Sequence, residues 1–227
     1  MRAQQFITEA FIPYDLSAVL IQKGYIPLGK QGADQRAFLE PDSGMVLKIF
    51  GTNRDTGDWS NRLTPGQNTF KLFYDYCMAN PNNPFLPQCF GWERFEWDHQ
   101  MYLQIRVERL FEFKGHRGWA KLLEYMARQI NNTNRSQVAK QSFIDRYLSD
   151  RYEDGYDGDP DEEHASGADD TLFTHLGDNF DLLWDTIVDL KNIAKGNGIR
   201  LDLHEGNFML GSDGEIVISD PFWCGSW

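Results

Sequence analysis

LDLHEGNFMLGSDGEIVISDP, residues 201–221, is the stretch that decides the reading of this 227-residue chain. Two short apolar runs, Phe208-Met209-Leu210 and Ile216-Val217-Ile218, flank Gly211-Ser212-Asp213-Gly214, a turn signal with glycine where a positive φ is needed. The pattern predicts a β-hairpin. The open end of an antiparallel hairpin brings its two flanks together. Asn207, just before the first strand, is therefore expected beside Asp220, just after the second. Asp202 lies upstream on the loop leading in. Two or three hard oxygen ligands in one place, with the rest of the shell left to water and phosphate, suit Mg²⁺.

Asp202, then Asn207, then Asp220 after a hairpin, resembles the catalytic-loop and metal-loop signature of the protein-kinase-like superfamily. The segment DLHEGN, with His204 and Gly206, is closer to the D-L-H-x-G-N form of aminoglycoside-type and atypical kinases than to the D-L-K form. Ser219-Asp220-Pro221 stands where the family has D-F-G. The combination also resembles the short serine/threonine kinases encoded by tailed bacteriophages. The resemblance implies an α+β, two-lobed fold: a small β-rich N-lobe over 1–107, a hinge at 108–110 and a shortened, mainly helical C-lobe over 111–227. It implies that Asp202 accepts or orients the proton of the attacking hydroxyl, and that Asn207 and Asp220 ligate Mg²⁺, with Lys48 and Asn207 completing the catalytic set.

Other parts of that pattern stand upstream in the same order. Met45-Val46-Leu47-Lys48-Ile49-Phe50 is a strand-like apolar run broken by one lysine. Such a lysine ordinarily snorkels to solvent; in the resemblance Lys48 grips the nucleotide's α- and β-phosphates. Leu28-Gly29-Lys30-Gln31-Gly32-Ala33 resembles a degenerate glycine-rich loop, in which Gly29 and Gly32 let backbone N–H groups approach phosphate; an ordinary turn reads the same way. Ala37-Phe38-Leu39 is the returning strand, and residues 40–44 the turn into the lysine strand. Residues 101–107 alternate and read as a further strand. Glu108-Arg109-Leu110 follows as the hinge, where backbone groups at Glu108 and Leu110 are expected to bind the adenine edge. The helix expected over 67–80, with Phe70, Phe73, Tyr74 and Cys77 on one stripe, holds no glutamate to pair with Lys48. Asp75, Asp58 or no acid takes that role.

Residues 111–201 exceed the usual span between hinge and catalytic loop. Helices are expected over 119–130, 136–148 and 179–194. The last carries Phe180, Leu183, Trp184, Ile187, Leu190 and Ala194 on one packing stripe and is ended by Gly196 and Gly198. Between the second and third lies an acidic run, 150–170, with ten acids against one arginine. It reads as a solvated loop or as a field that steers a basic acceptor. Asp157, Asp159 and Asp161 alternate as in a calcium loop, but Glu162 and Ala168 stand where that loop needs glycine and glutamate, so it is not one. Seven residues follow Asp220, and the expectation is a C-lobe without the usual activation segment or peptide-docking platform, with Phe222 and Trp227 packing against the lobe.

Composition bounds the partners. The length suits one domain or one two-lobed unit with a sizeable core. A formal charge of −12 argues against nonspecific nucleic-acid binding. No apolar run approaches the ~20 residues of a membrane span, and MRAQQFITEAF lacks a signal-peptide core. Cys77, Cys89 and Cys224 show no metal spacing and read as free thiols in a reducing cytoplasm, that of a bacterial host if the chain is phage-encoded. The expected function is an ATP- and Mg²⁺-dependent transfer of phosphoryl groups to protein Ser/Thr hydroxyls on an acceptor that is basic if the acidic run steers it. The alternatives are a small-molecule kinase of the aminoglycoside type and an inactive pseudokinase acting as a binding or inhibitor protein.

Overall fold

The computed structural model describes residues 14–28, 35–51, 65–112, 117–132, 136–147, 176 and 179–223. The expectations at Gly29, Gly32, Asp58, Leu148, Cys224, Trp227 and the acidic run 150–170 lie outside them. The fold is α+β, and the chain divides into two compact units at Arg109/Leu110.

The first unit is built on a five-stranded antiparallel sheet. Its strands are β1 (Ile26–Leu28), β2 (Gln35–Leu39), β3 (Val46–Phe50), β4 (Cys89–Trp97) and β5 (Gln100–Val107), in the order β1-β2-β3-β5-β4. Successive strand side chains point to opposite faces, and each face has its own helix. Leu47 and Ile49 of β3 join Phe38 and Tyr102 under Leu16 of helix α1 (Tyr14–Gln22), with Leu20, Tyr25, Phe95 and Trp97 packed around them. Phe50, on the other face, stacks on Phe70 of helix α2 (Pro65–Ala79), ring centroids 4.2 Å apart. Proline at the first position of α2 costs no hydrogen bond, since that N–H has no intrahelical partner. Buried Gln67 is satisfied by the carbonyls of Phe50 (3.2 Å) and Met101 (3.3 Å). Asp98 and His99, both at positive φ, form the two-residue turn between β4 and β5, the turn whose twist matches a hairpin.

The second unit holds helices α3 (Arg117–Asn132), α4 (Ser136–Tyr147) and α5 (Phe180–Gly196). The stripe read from the sequence is the buried face of α5: Phe180, Leu183, Trp184, Ile187, Leu190 and Ala194. Phe143 of α4 packs against the rings of both Phe180 and Trp184, at 6.1 and 5.9 Å. Leu122, Leu123, Met126 and Ile130 of α3 are buried too. Lys191 on α5 donates to the carbonyl of Ile130 at 2.6 Å, and its burial lowers the ammonium pKa from the usual lysine range. After α5 come β6 (Arg200–Leu201), a 3₁₀ turn (Glu205–Asn207), β7 (Phe208–Leu210), β8 (Ile216–Ile218) and β9 (Phe222–Trp223). β7 pairs with β8, and β6 with β9, both antiparallel. Gly214, at φ +83°, closes the β7–β8 loop in the left-handed region that glycine tolerates.

Candidate functional site

The loop between β6 and β7 is fixed from several sides, mostly through its backbone. The Asp202 N–H donates to the carbonyl of Pro221 at 2.7 Å. That bond and the β6–β9 pair close the mouth of the hairpin, so the residue before Pro221, Asp220, is held against the loop that carries Asp202. The Asn207 side-chain nitrogen donates to the Asp202 carbonyl at 2.6 Å. The Asn207 carbonyl accepts from the Ser219 N–H at 2.8 Å and from its hydroxyl at 3.3 Å. Asn207 and Ser219 are both buried. The backbone pairing of the hairpin thus runs on past the strands to Asn207 and Ser219, and Asp202, Asn207 and Asp220 all lie on the chain at that end of β7–β8.

The spacing within DLHEGN has a local cause. His204 Nδ1 accepts from the Gly206 N–H at 3.0 Å, capping the 3₁₀ turn. A Cβ at position 206 would meet the His204 ring at 3.0 Å, tighter than a side chain normally allows. Gly206 is thus the residue that lets the histidine fold back. Glu124 of α3 reaches in from outside and accepts from the Glu205 N–H at 3.1 Å. The opposite end of β7 is held by Phe111, which exchanges two backbone bonds with Leu210, at 2.7 and 2.8 Å.

The Asn207 amide has a defined orientation. A carbonyl accepts and never donates, so the nitrogen of the amide must face Asp202 and Oδ1 must face away. An amide oxygen and a carboxylate make up the hard-oxygen pair expected of an Mg²⁺ site that completes its shell with phosphate and water. Among the described residues no cluster of three or more His, Cys, Asp and Glu side chains occurs that could hold a metal alone. A site made of one amide and one carboxylate needs its ligand's oxygens as well.

Lys48 and Glu108 belong to the first unit, and Leu110, Asp202, Asn207 and Asp220 to the second. Lys48 is half-buried on the face of β3 that carries α2, with its ammonium 5.7 Å from the centre of the Tyr74 ring. Tyr74 is the residue that sequence reasoning missed. It was visible on the α2 stripe, but as packing. The strand alternation that sets Lys48 and Phe50 on one face would have brought Tyr74 to the lysine. Asp75 turns to other partners: it pairs with Lys71 and accepts from Trp92 Nε1 at 2.9 Å. At the expected hinge, the Glu108 N–H donates to the Gln88 carbonyl at 3.0 Å and its carboxylate accepts from the Gln88 N–H at 2.7 Å. That N–H is committed inside the unit rather than offered to a base edge. Leu110 is half-buried at the start of the second unit.

Comparison with models of known protein families gives no match, and comparison with curated proteins gives none either. Glu124 escaped the sequence reading, and Ser219 and Pro221 were read only as part of the Ser219-Asp220-Pro221 motif, not as partners of the loop. Each meets a backbone group of the loop, Glu124 with its carboxylate, Ser219 with its N–H and hydroxyl, and Pro221 with its carbonyl.

Proposed function

We propose that the chain is an ATP-dependent phosphotransferase acting on serine or threonine hydroxyls of a protein, like the phage-type kinases that its catalytic stretch resembles. The observation that carries this reading is the Asn207 amide, whose nitrogen donates to the Asp202 carbonyl and so leaves Oδ1 as the amide atom turned away from it. In this reading Asp202 orients the acceptor hydroxyl and takes its proton, work typically worth ~10²–10⁴ in rate. Asn207 and Asp220 would hold Mg²⁺, which supplies neutralisation of the phosphate charge. Lys48 would pair with the α- and β-phosphates.

A second reading is favoured by a separate observation. α2 contains one acid, Asp75, and it is engaged by Lys71 and Trp92, while the Tyr74 ring lies against Lys48. The carboxylate that orients the nucleotide lysine in the family is not supplied by this helix. An inactive kinase shell that serves as a binding protein would look the same.

Thermal unfolding with ATP, with and without Mg²⁺, tests the shared core of both readings. A ligand at 100 times its Kd stabilises by about 2.7 kcal/mol, and that gain should require Mg²⁺ and vanish in Asp220→Ala. Stabilisation indifferent to Mg²⁺, or none, refutes the nucleotide site. Labelled ATP with bacterial lysate then separates the readings. Label on protein supports the kinase, label on a small metabolite points to the aminoglycoside-like alternative, and no label beside Mg²⁺-dependent ATP binding supports the inactive shell.

A further inference from the structure

Two thiols meet in the first unit, and nothing in the proposed phosphoryl transfer uses them. The bulge at the start of β4 sets their positions. Cys89 pairs with Val107, Gly91 with Arg106 and Trp92 with Ile105, so Phe90 is the extra residue. Ile105 in turn pairs with Lys48. Residues paired across an antiparallel sheet share a face. Cys89, Val107, Ile105, Trp92 and Lys48 therefore all point to the side covered by α2. On that helix Tyr74 lies against Lys48 and Asp75 against Trp92. Those two contacts fix the helix on the sheet, and Cys77, one turn beyond Tyr74, comes down on the end of β4 where Cys89 stands. Cys89 is close enough to Cys77 to be one of the causes that raise the Cys77 thiol pKa. Both are free thiols; Cys77 is buried and Cys89 half-buried.

We infer that Cys77 and Cys89 form a peroxide-responsive dithiol that closes to an intramolecular disulfide. The accessibility of the two sulfurs sets the order of events. The Cys89 thiol gives up its proton and its sulfur attacks one peroxide oxygen; the O–O bond breaks, the leaving hydroxide takes up that proton as water, and Cys89 becomes a sulfenic acid. The Cys77 sulfur then attacks the Cys89 sulfur; the S–S bond forms, the S–O bond breaks, and a second water carries away the Cys77 proton. The dithiol loses two electrons and the peroxide gains them. Burial, and then the neighbouring Cys89, raises the Cys77 pKa well above the usual thiol range, so Cys77 is the less ready of the two to attack peroxide first. Closure would tie α2 to β4 beside the lysine, around a loop of about a dozen residues, a size for which disulfides are effective clamps.

The full chain, reduced and then treated with near-stoichiometric hydrogen peroxide, tests this. Intact mass should fall by about 2 Da, and digestion without reductant should yield a Cys77–Cys89 linked peptide that dithiothreitol separates. Cys89→Ser, at the half-buried position, should show no such loss of mass. The proposal is overturned by a lasting gain of about 16 or 32 Da on Cys89, by a link from either thiol to Cys224 or to a second chain, by an unchanged mass, or by a loss that persists in Cys89→Ser. None of these outcomes depends on whether the protein binds ATP.

Discussion

Asn207→Ala removes one side-chain bond, the 2.6 Å donation to the Asp202 carbonyl, and leaves the backbone bonds of position 207 in place. A neutral hydrogen bond is worth about 0.5–1.5 kcal/mol net, and orphaning a buried acceptor adds about 1–3 kcal/mol. Asp202 is half-buried, so water recovers part of the second term, and a loss of about 1–2 kcal/mol is expected. For a chain of this size that lowers Tm by about 3–6 °C. Asn207→Asp separates the two jobs of the residue. A carboxylate cannot donate to the carbonyl, so this variant should be destabilised at least as much, yet it restores a hard oxygen where Oδ1 stood. Thermal unfolding of wild type and both variants, with ATP and with and without Mg²⁺, gives both answers. Asn207→Ala should lose most of the Mg²⁺-dependent gain and Asn207→Asp should keep it. Wild-type Tm in either variant would refute the structural role of the bond. An undiminished Mg²⁺-dependent gain in Asn207→Ala would refute the ligand role of Oδ1.

Asp202 enters its fixed contacts through its N–H and carbonyl, so Asp202→Asn should melt as wild type while phosphoryl transfer slows by ~10²–10⁴; equal turnover on labelled ATP would remove the carboxylate from the mechanism. Lys48→Met keeps the stem and loses the charge over Tyr74, a contact worth about 0.5–1 kcal/mol. Calorimetric titration should show weaker Mg·ATP binding with little change in Tm, and unaltered affinity would return Lys48 to an ordinary strand lysine. Cys77 has a folded-state pKa raised above its unfolded value, first by burial, so its contribution to stability is whole below the unfolded thiol pKa of ~8.5 and is lost as pH rises past it. Under reducing conditions the stability advantage of wild type over Cys77→Ala should narrow by about 1.4 kcal/mol per pH unit above ~8.5; a constant difference in denaturant unfolding would contradict the raised pKa.

Some of this architecture is plain in the residues and some is not. The β7–β8 hairpin was legible because two all-apolar runs bracket a glycine turn, and its observed register sets those two runs opposite one another, Phe208 against Ile218 and Leu210 against Ile216. α5 was legible because six apolar residues repeat at helical spacing. β4 was not read: it is an edge strand, with Glu93, Arg94 and Glu96 exposed or nearly so, and its bulge at Cys89/Gly91 interrupts the alternation that marks a strand. α1 is short, and its value lies in covering a sheet face that only the strand order reveals. The candidate site was legible as a set of residue types. What holds it, from Pro221, Ser219 and Glu124, ends on main-chain groups of the loop, which carry no residue-type signal of their own.

The two bonds between Phe111 and Leu210 carry a consequence for the timescale on which the site opens. Phe111 is an exposed residue in a two-residue bridge, and by its surroundings its amide would exchange hydrogen with solvent like any loop. Because its amide donates to the Leu210 carbonyl of β7, that amide is released when the hairpin end separates, so Phe111 and Leu210 belong to one cooperative opening unit. Their protection should rise and fall together, and a cut in the chain ahead of Phe111 would spare that unit where a cut just after it would shorten its lifetime.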